Sequence, residues 1–225
     1  MIAAQHRHQL AAELLRLKAD RSGMAMVEFA LCLPFFIAFT MGGVELANFI
    51  TTKMRLSQIS LQVADNASRI GSGSLLSAKQ ISETQINDLL TGAGLQGGAM
   101  NLYTNGRVIL YSLEPVANPN TTDRYKIRWK RCRGAKTAYV GSYTQGQTNL
   151  TGFVSGTQTI KAPADGAVMV VQLSYTYRPL IAQAFIPKPE IIEFGAMTVR
   201  DTRDMVGPAN GVGIYNTENA TISSC

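Results

Sequence analysis

Gly23 and Glu28 are the residues whose types and spacing first point to chemistry. They sit in the stretch Ser22 to Phe36, "SGMAMVEFALCLPFF", where a glycine opens an apolar run and a carboxylate stands five positions beyond it. A carboxylate at the edge of a membrane-length segment costs free energy, so it calls for a use. The plainest use is local: one turn inside a helix, Glu28 favours the positive end of the helix dipole and can extend toward water.

Other chemistry is poorly represented. Both histidines, His6 and His8, precede Gly23; if the segment up to Gly23 is a removable leader, the mature chain contains none, which argues against Ser-His-Asp, Cys-His and His-metal sites. No G-x-S-x-G nucleophile motif occurs. The paired acids Glu190 and Glu193, and Asp201 and Asp204, lack calcium-loop spacing and read as surface charge. The expectation is therefore no catalytic residue, no metal and no cofactor. "RYKIRWKRCR" is basic and aromatic, as a single-strand nucleic-acid site would be. Its alternation of Lys126, Arg128 and Lys130 against Ile127 and Trp129 instead predicts a strand with one wet and one apolar face. The formal charge of +6, of which +2 precedes Gly23, is too mild for a dedicated nucleic-acid binder. Cys32 lies in the apolar run as a packing residue. Cys132 and Cys225 are the only cysteines beyond it, and they suggest one disulfide if that side of a membrane is oxidising.

The elements that would position these residues follow from periodicity. Met24 to Val44 carries Glu28 as its only charge and is long enough to cross a hydrocarbon core of roughly 30 Å as a helix. Lys and Arg before it favour a cytoplasmic N-terminus. A cleaved signal peptide should have a shorter apolar core and an Ala-x-Ala-like site, and none stands between Ala38 and Ala47. Leu56, Ile59, Val63, Ala67 and Ile70 recur at helical spacing, so one helix from Met24 to Ile70 is expected, weakest at Pro34 and Gly42-Gly43 and ended by Gly71 to Ser74. A second helix is predicted over Ser77 to Leu90. "NLYTNGRVILYSL" predicts a hairpin turning at Asn105-Gly106. Tyr125 to Cys132 is a strand, Gly134 to Gly166 mostly loop with short strands, and Ala167 to Tyr177 the strongest strand, with Met169, Val171, Leu173, Tyr175 and Tyr177 on one face. Ile191 to Val199 is a further strand weakened by Glu193 and Gly195. The class is α+β.

Gly23 followed four residues later by Glu28-Phe29 resembles the processing signal of type IV pilin precursors. More narrowly, "GMAMVEFALCLPFFIAFTMGGVELANF" is similar to the N-terminal region of TadE-like proteins, minor pilins or pseudopilins of the tight-adherence (Tad/Flp, type IVb-like) pilus. The core positions are Val27, Glu28, Phe29, Ala30, Leu31 and Pro34, then Gly43 and Glu45. The alanine- and arginine-rich continuation is matched in part by "QVADNASRIG", where Asp65 and Asn66 stand in place of the usual types.

This resemblance implies a pilin-like lollipop: a transmembrane helix continuing into an amphipathic helix packed on a mainly antiparallel sheet head. It divides the chain into a cytoplasmic prepilin leader (1–23), a transmembrane helix (24–48), an amphipathic extension (49–72) and a periplasmic head (73–225). It implies cleavage between Gly23 and Met24 by a prepilin peptidase, and assembly roles for Glu28, Phe29 and Pro34. Cys132 and Cys225 would pair in the head. The expected partners are that peptidase, the major pilin, a second TadE-like subunit and the inner-membrane platform, with no nucleic acid. The expected place is the bacterial inner membrane, with the protein able to enter the pilus and serve adhesion and biofilm formation. The rival from another class is a signal-anchored periplasmic enzyme or binding protein whose helix is a tether.

Overall fold

The computed structural model describes Arg16 and residues 23–73, 77–208 and 211–225. The predicted leader, with His6 and His8, lies outside the described residues except for Arg16 and Gly23. The chain divides into two compact units at Ala47/Asn48.

Helix α1 spans Met24–Arg69 without interruption, through Pro34 and Gly42-Gly43. In the first unit it presents apolar side chains all round, with Met26 and Phe39 each 79% exposed. In the second unit, by contrast, Leu56, Ile59, Val63, Ala64 and Ala67 are buried on one side. This is the change from a lipid-like to an amphipathic pattern that the spacing predicts.

The second unit is built on a four-stranded antiparallel sheet in the order β2-β1-β5-β6, comprising β1 (Gly106–Pro115), β2 (Tyr125–Arg133), β5 (Val168–Thr176) and β6 (Glu190–Thr198). A hairpin of β3 (Phe153–Ser155) and β4 (Gln158–Ile160) forms a second, small sheet. Residues of α1 and of helix α2 (Glu83–Gly97) share one core with Val108, Leu110, Trp129, Met169, Val171, Leu173, Tyr175 and Tyr177. The opposite face carries Ile109, Tyr111, Leu113, Ile127, Val168 and Val170, covered by Phe153, Ala162 and the loop aromatics Tyr139 and Tyr143. With both faces covered, β1 is buried along its whole length, and the α+β class predicted from sequence is the one observed.

Four local predictions are corrected. Helix α2 starts at Glu83 because Ser82 accepts from the Gln85 amide and the Gln85 side chain returns the bond, a capping box. It runs on to Gly97 because Leu90 and Ala93 are buried, and Gly98 ends it at φ 48°. The Asn105-Gly106 hairpin is absent: Leu102–Asn105 is a short helix, α3, and β1 begins at Gly106 and pairs instead with β2 beyond residues 116–124. β2 does not alternate evenly. Its register shifts, with Leu113 opposite Ile127 but Ser112 opposite Trp129, so Arg128 is a bulge residue. The bulge sends Ile127 and Trp129 into opposite cores. The predicted wet face of β2 is only partly wet: Lys126 and Arg128 are half-buried and Lys130 is 7% exposed.

Gly195, which weakens the strand pattern of β6, is what lets α1 lie against it. A methyl group there would stand 2.8 Å from the Leu61 nitrogen and closer still to the Ser60 carbonyl. Helix backbone and edge strand touch where any side chain would intervene.

Candidate functional site: the N-terminal segment and the head that follows

Gly23 occupies the turn before α1, and its carbonyl accepts the first helical bond, from the Val27 amide at 3.1 Å. It is exposed, with open space around it. A peptide bond in such a place is sterically reachable. Met24 and Glu28 are four residues apart in the same helix and so lie on one face. Glu28, Phe29 and Pro34 are all exposed, as is Cys32, whose thiol is free. Pro34 cannot donate the helical bond to the Ala30 carbonyl, which leaves that acceptor available within an apolar surface. Residues 24–47 at about 1.5 Å each give a length of about 36 Å, sufficient for a bilayer core.

Of the acids that the sequence marks as surface charge, Glu190 and Asp201 are exposed while Glu193 and Asp204 are half-buried; other charged groups of the head are structural. Arg131 and Glu83 form a buried ion pair, with side chains 6% and 3% exposed. Arg131 Nε donates to Glu83 Oε2 at 2.9 Å and Nη1 to the Lys130 carbonyl at 2.8 Å, while Nη2 also reaches Glu83. This ties β2 to the first residue of α2, where a carboxylate is also favoured by the helix dipole. Lys130 donates to the Tyr143 carbonyl at 2.9 Å and to that of Val140, and lies over the Tyr111 ring; burial pushes its ammonium below the usual lysine range. These two cations are therefore spent internally and do not form a basic surface.

Arg203 closes the end of α1. Its Nη2 donates to the carbonyls of Ala67, Ser68 and Ile70 at 3.2, 3.3 and 2.7 Å, the acceptors that a helix C-terminus leaves unpaired. Burial pushes this guanidinium down to about 10, against the opposing pull of Asp201 and Glu114. Glu114, 5% exposed, accepts from Ser112 Oγ at 3.0 Å, and burial raises its carboxyl above the usual range. Asp204 does the reverse. Its carboxylate accepts from Tyr215 at 2.5 Å and from the amides of Val206 and Gly207 at 3.0 Å, and these bonds, Tyr215 foremost, hold it below the usual aspartate range. Glu190 is lowered first by Lys136, 2.7 Å away.

Cys132, at the end of β2, is joined to Cys225 in a disulfide with Cα atoms 5.1 Å apart. Among the described residues no group of three or more His, Cys, Asp or Glu is arranged to hold a metal ion.

Among the described residues one helix is long and apolar enough to cross a membrane, and it is followed by a mainly antiparallel sheet, which defines the class as an α+β protein with a membrane-length N-terminal helix. Within that class the family model of TadE-like proteins matches residues 23–71, the span of α1 with the glycine before it and two residues after. The similarity to TadE-like proteins is thus confined to this N-terminal segment, residues 23–71. No curated protein and no solved structure matches the chain.

Proposed function

We propose that this protein is a minor pilin of a tight-adherence, type IVb-like pilus, made as a precursor and processed between Gly23 and Met24. The observation that carries the reading is the coincidence of the TadE-like match, which begins at Gly23, with a helix that begins at Met24. Hydrolysis of that bond by a prepilin peptidase releases residues 1–23 and creates an amino terminus at Met24. The new ammonium would be costly beside lipid, and Glu28, one turn along the same face, offsets it or the ammonium of a neighbouring subunit. Phe29 and the kink-prone Pro34 belong to the surface that docks against other subunits. The head then stands in the periplasm, and the work is priming or capping of filament assembly alongside the major pilin, a second TadE-like subunit and the inner-membrane platform, not catalysis.

Co-expression with a prepilin peptidase tests this. Intact-mass analysis should show loss of residues 1–23, and Gly23→Ala should block it; Glu28→Ala should insert normally and yet impair pilus assembly. A mature terminus near Gly43 would mean ordinary signal-peptide cleavage and would end the pilin reading. Normal pilus levels with Glu28→Ala would reduce that carboxylate to a helix-end residue.

A further inference from the structure

The two edges of the main sheet are treated differently. β6 pairs with no further strand on its outer side among the described residues. The outer side of β2 is occupied from end to end. Tyr125 exchanges both backbone bonds with Leu150, at 2.8 and 2.9 Å; Ile127 donates to the Gln147 carbonyl and accepts from the Gly146 amide, each at 2.8 Å. The Lys130 amide donates to Gln145 Oε1 at 3.3 Å, and the Cys132 amide to the Ser223 carbonyl at 2.8 Å. Leu150, Gln147, Gly146 and Gln145 belong to the loop layer that packs on the sheet. Ser223 belongs to the segment 220–225.

Residues 220–225 bring little apolar surface to the core: each is exposed or half-buried, and Ile222 is 49% exposed. Apart from the disulfide, they are held by polar anchors: Asn87 Nδ2 donates to the Thr221 carbonyl at 2.7 Å and Ser223 Oγ to Asn87 Oδ1 at 2.6 Å. Arg133 Nη2 adds a bond to Ser223 Oγ at 3.4 Å and Arg107 Nη2 one to the Cys225 carbonyl at 3.5 Å; such long or partly exposed bonds contribute modestly against the entropy of ordering the segment. Between this segment and β2 lies a cavity of about 600 Å³, walled by Lys130, Arg131, Val140, Ile222 and Cys225 among others.

We propose that residues 220–225 form a guard over the β2 edge whose clasp is the Cys132–Cys225 disulfide, so that a dithiol reductant opens the edge without unfolding the sheet. Cys225 is exposed whereas Cys132 is buried, so the attacking thiolate reaches the Cys225 sulfur. The Sγ–Sγ bond breaks, its electron pair leaves on Cys132, and that thiolate takes up a proton. The second thiol of the reductant then displaces Cys225 from the mixed disulfide. In total the dithiol loses two electrons and two protons, becoming a disulfide, and both cysteines end as thiols. The Cys132 amide loses its acceptor and one wall of the cavity leaves, so the end of β2 opens to water while Tyr125, Ile127 and Lys130 keep their partners in residues 145–150.

Hydrogen exchange on the full chain in detergent micelles, with and without dithiothreitol and with Cys225→Ser, tests the clasp. On reduction, the Cys132 amide and residues 220–225 should exchange at least about 100-fold faster than in the oxidised protein, while amides of β1 and β5 stay far slower than Cys132. Retained protection at Cys132 would show that the segment holds without the bond. Loss of protection in β1 and β5 to the same rate as Cys132 would show that the bond holds the whole head, and either result overturns the proposal. Reduction of the already folded wild type gives the same readout if Cys225→Ser does not fold.

Discussion

Replacing Gly195 by alanine asks the sharpest question of the fold. The added methyl would meet helix backbone, with the Leu61 nitrogen at 2.8 Å and the Ser60 carbonyl nearer still. Ordinary carbon contacts lie near 3.5–4.0 Å, so α1 and β6 must separate by roughly 1 Å. Overpacking costs about 1–3 kcal/mol. The upper end applies because neither neighbour is a side chain that could turn aside. The separation would also loosen Leu56, Ile59 and Val63 from the sheet. For a domain of this size, about 3 kcal/mol corresponds to a fall in Tm of roughly 6–12 °C. Thermal unfolding of the detergent-solubilised chain, followed by circular dichroism of the sheet, measures it. Gly92→Ala is the control: nothing lies within 4 Å of its added methyl, in the middle of α2, so it should stabilise by about 0.5–1 kcal/mol. If Gly195→Ala melts within about 1 °C of wild type, the close approach of helix and edge strand is not a constraint and the argument from packing fails.

Glu83→Ala should lower the urea midpoint by the equivalent of about 3–5 kcal/mol, because it strands the buried Arg131 cation, whereas Glu83→Leu combined with Arg131→Met should lie near wild type; equal losses in both would mean that the pair contributes more than mutual compensation. The Asp204 carboxyl is held below its ordinary value of 3.8, so its contribution is fully present above that pH and is lost as pH falls through the folded value. Melting curves taken from neutral to strongly acid pH should converge for wild type and Asp204→Asn as the pH drops, and a constant separation would show that Tyr215 and the 206–207 amides do not favour the charged form.

The course of the chain from Met24 to Arg69 was legible from residue order alone. An unbroken apolar run and then a stripe at spacings of three and four specify a helix and the face it buries, because both depend only on neighbours within two turns. The same holds for β5, where Met169, Val171, Leu173 and Tyr175, with Tyr177 just past its end, all join one core. The pairing of Gly23 with Glu28 is equally local.

Other features were decided by tertiary structure. Asn105-Gly106 has the composition of a hairpin turn, yet α3 and the pairing of β1 between β2 and β5 use those residues otherwise. The bulge at Arg128 inverts one half of β2 relative to the other, and no single-strand alternation can show it, since a bulge is defined by the partner's register. Arg131 looks solvated until the start of α2, forty-eight residues away in sequence, brings Glu83 to it. Arg203 likewise reads as a surface charge until the end of α1 presents its unpaired carbonyls. Gly195 weakens a strand when read by propensity and is required when a helix backbone lies on it. Periodicity records which side of an element is apolar; what stands on that side, and how near, is set by contacts between segments far apart in the chain.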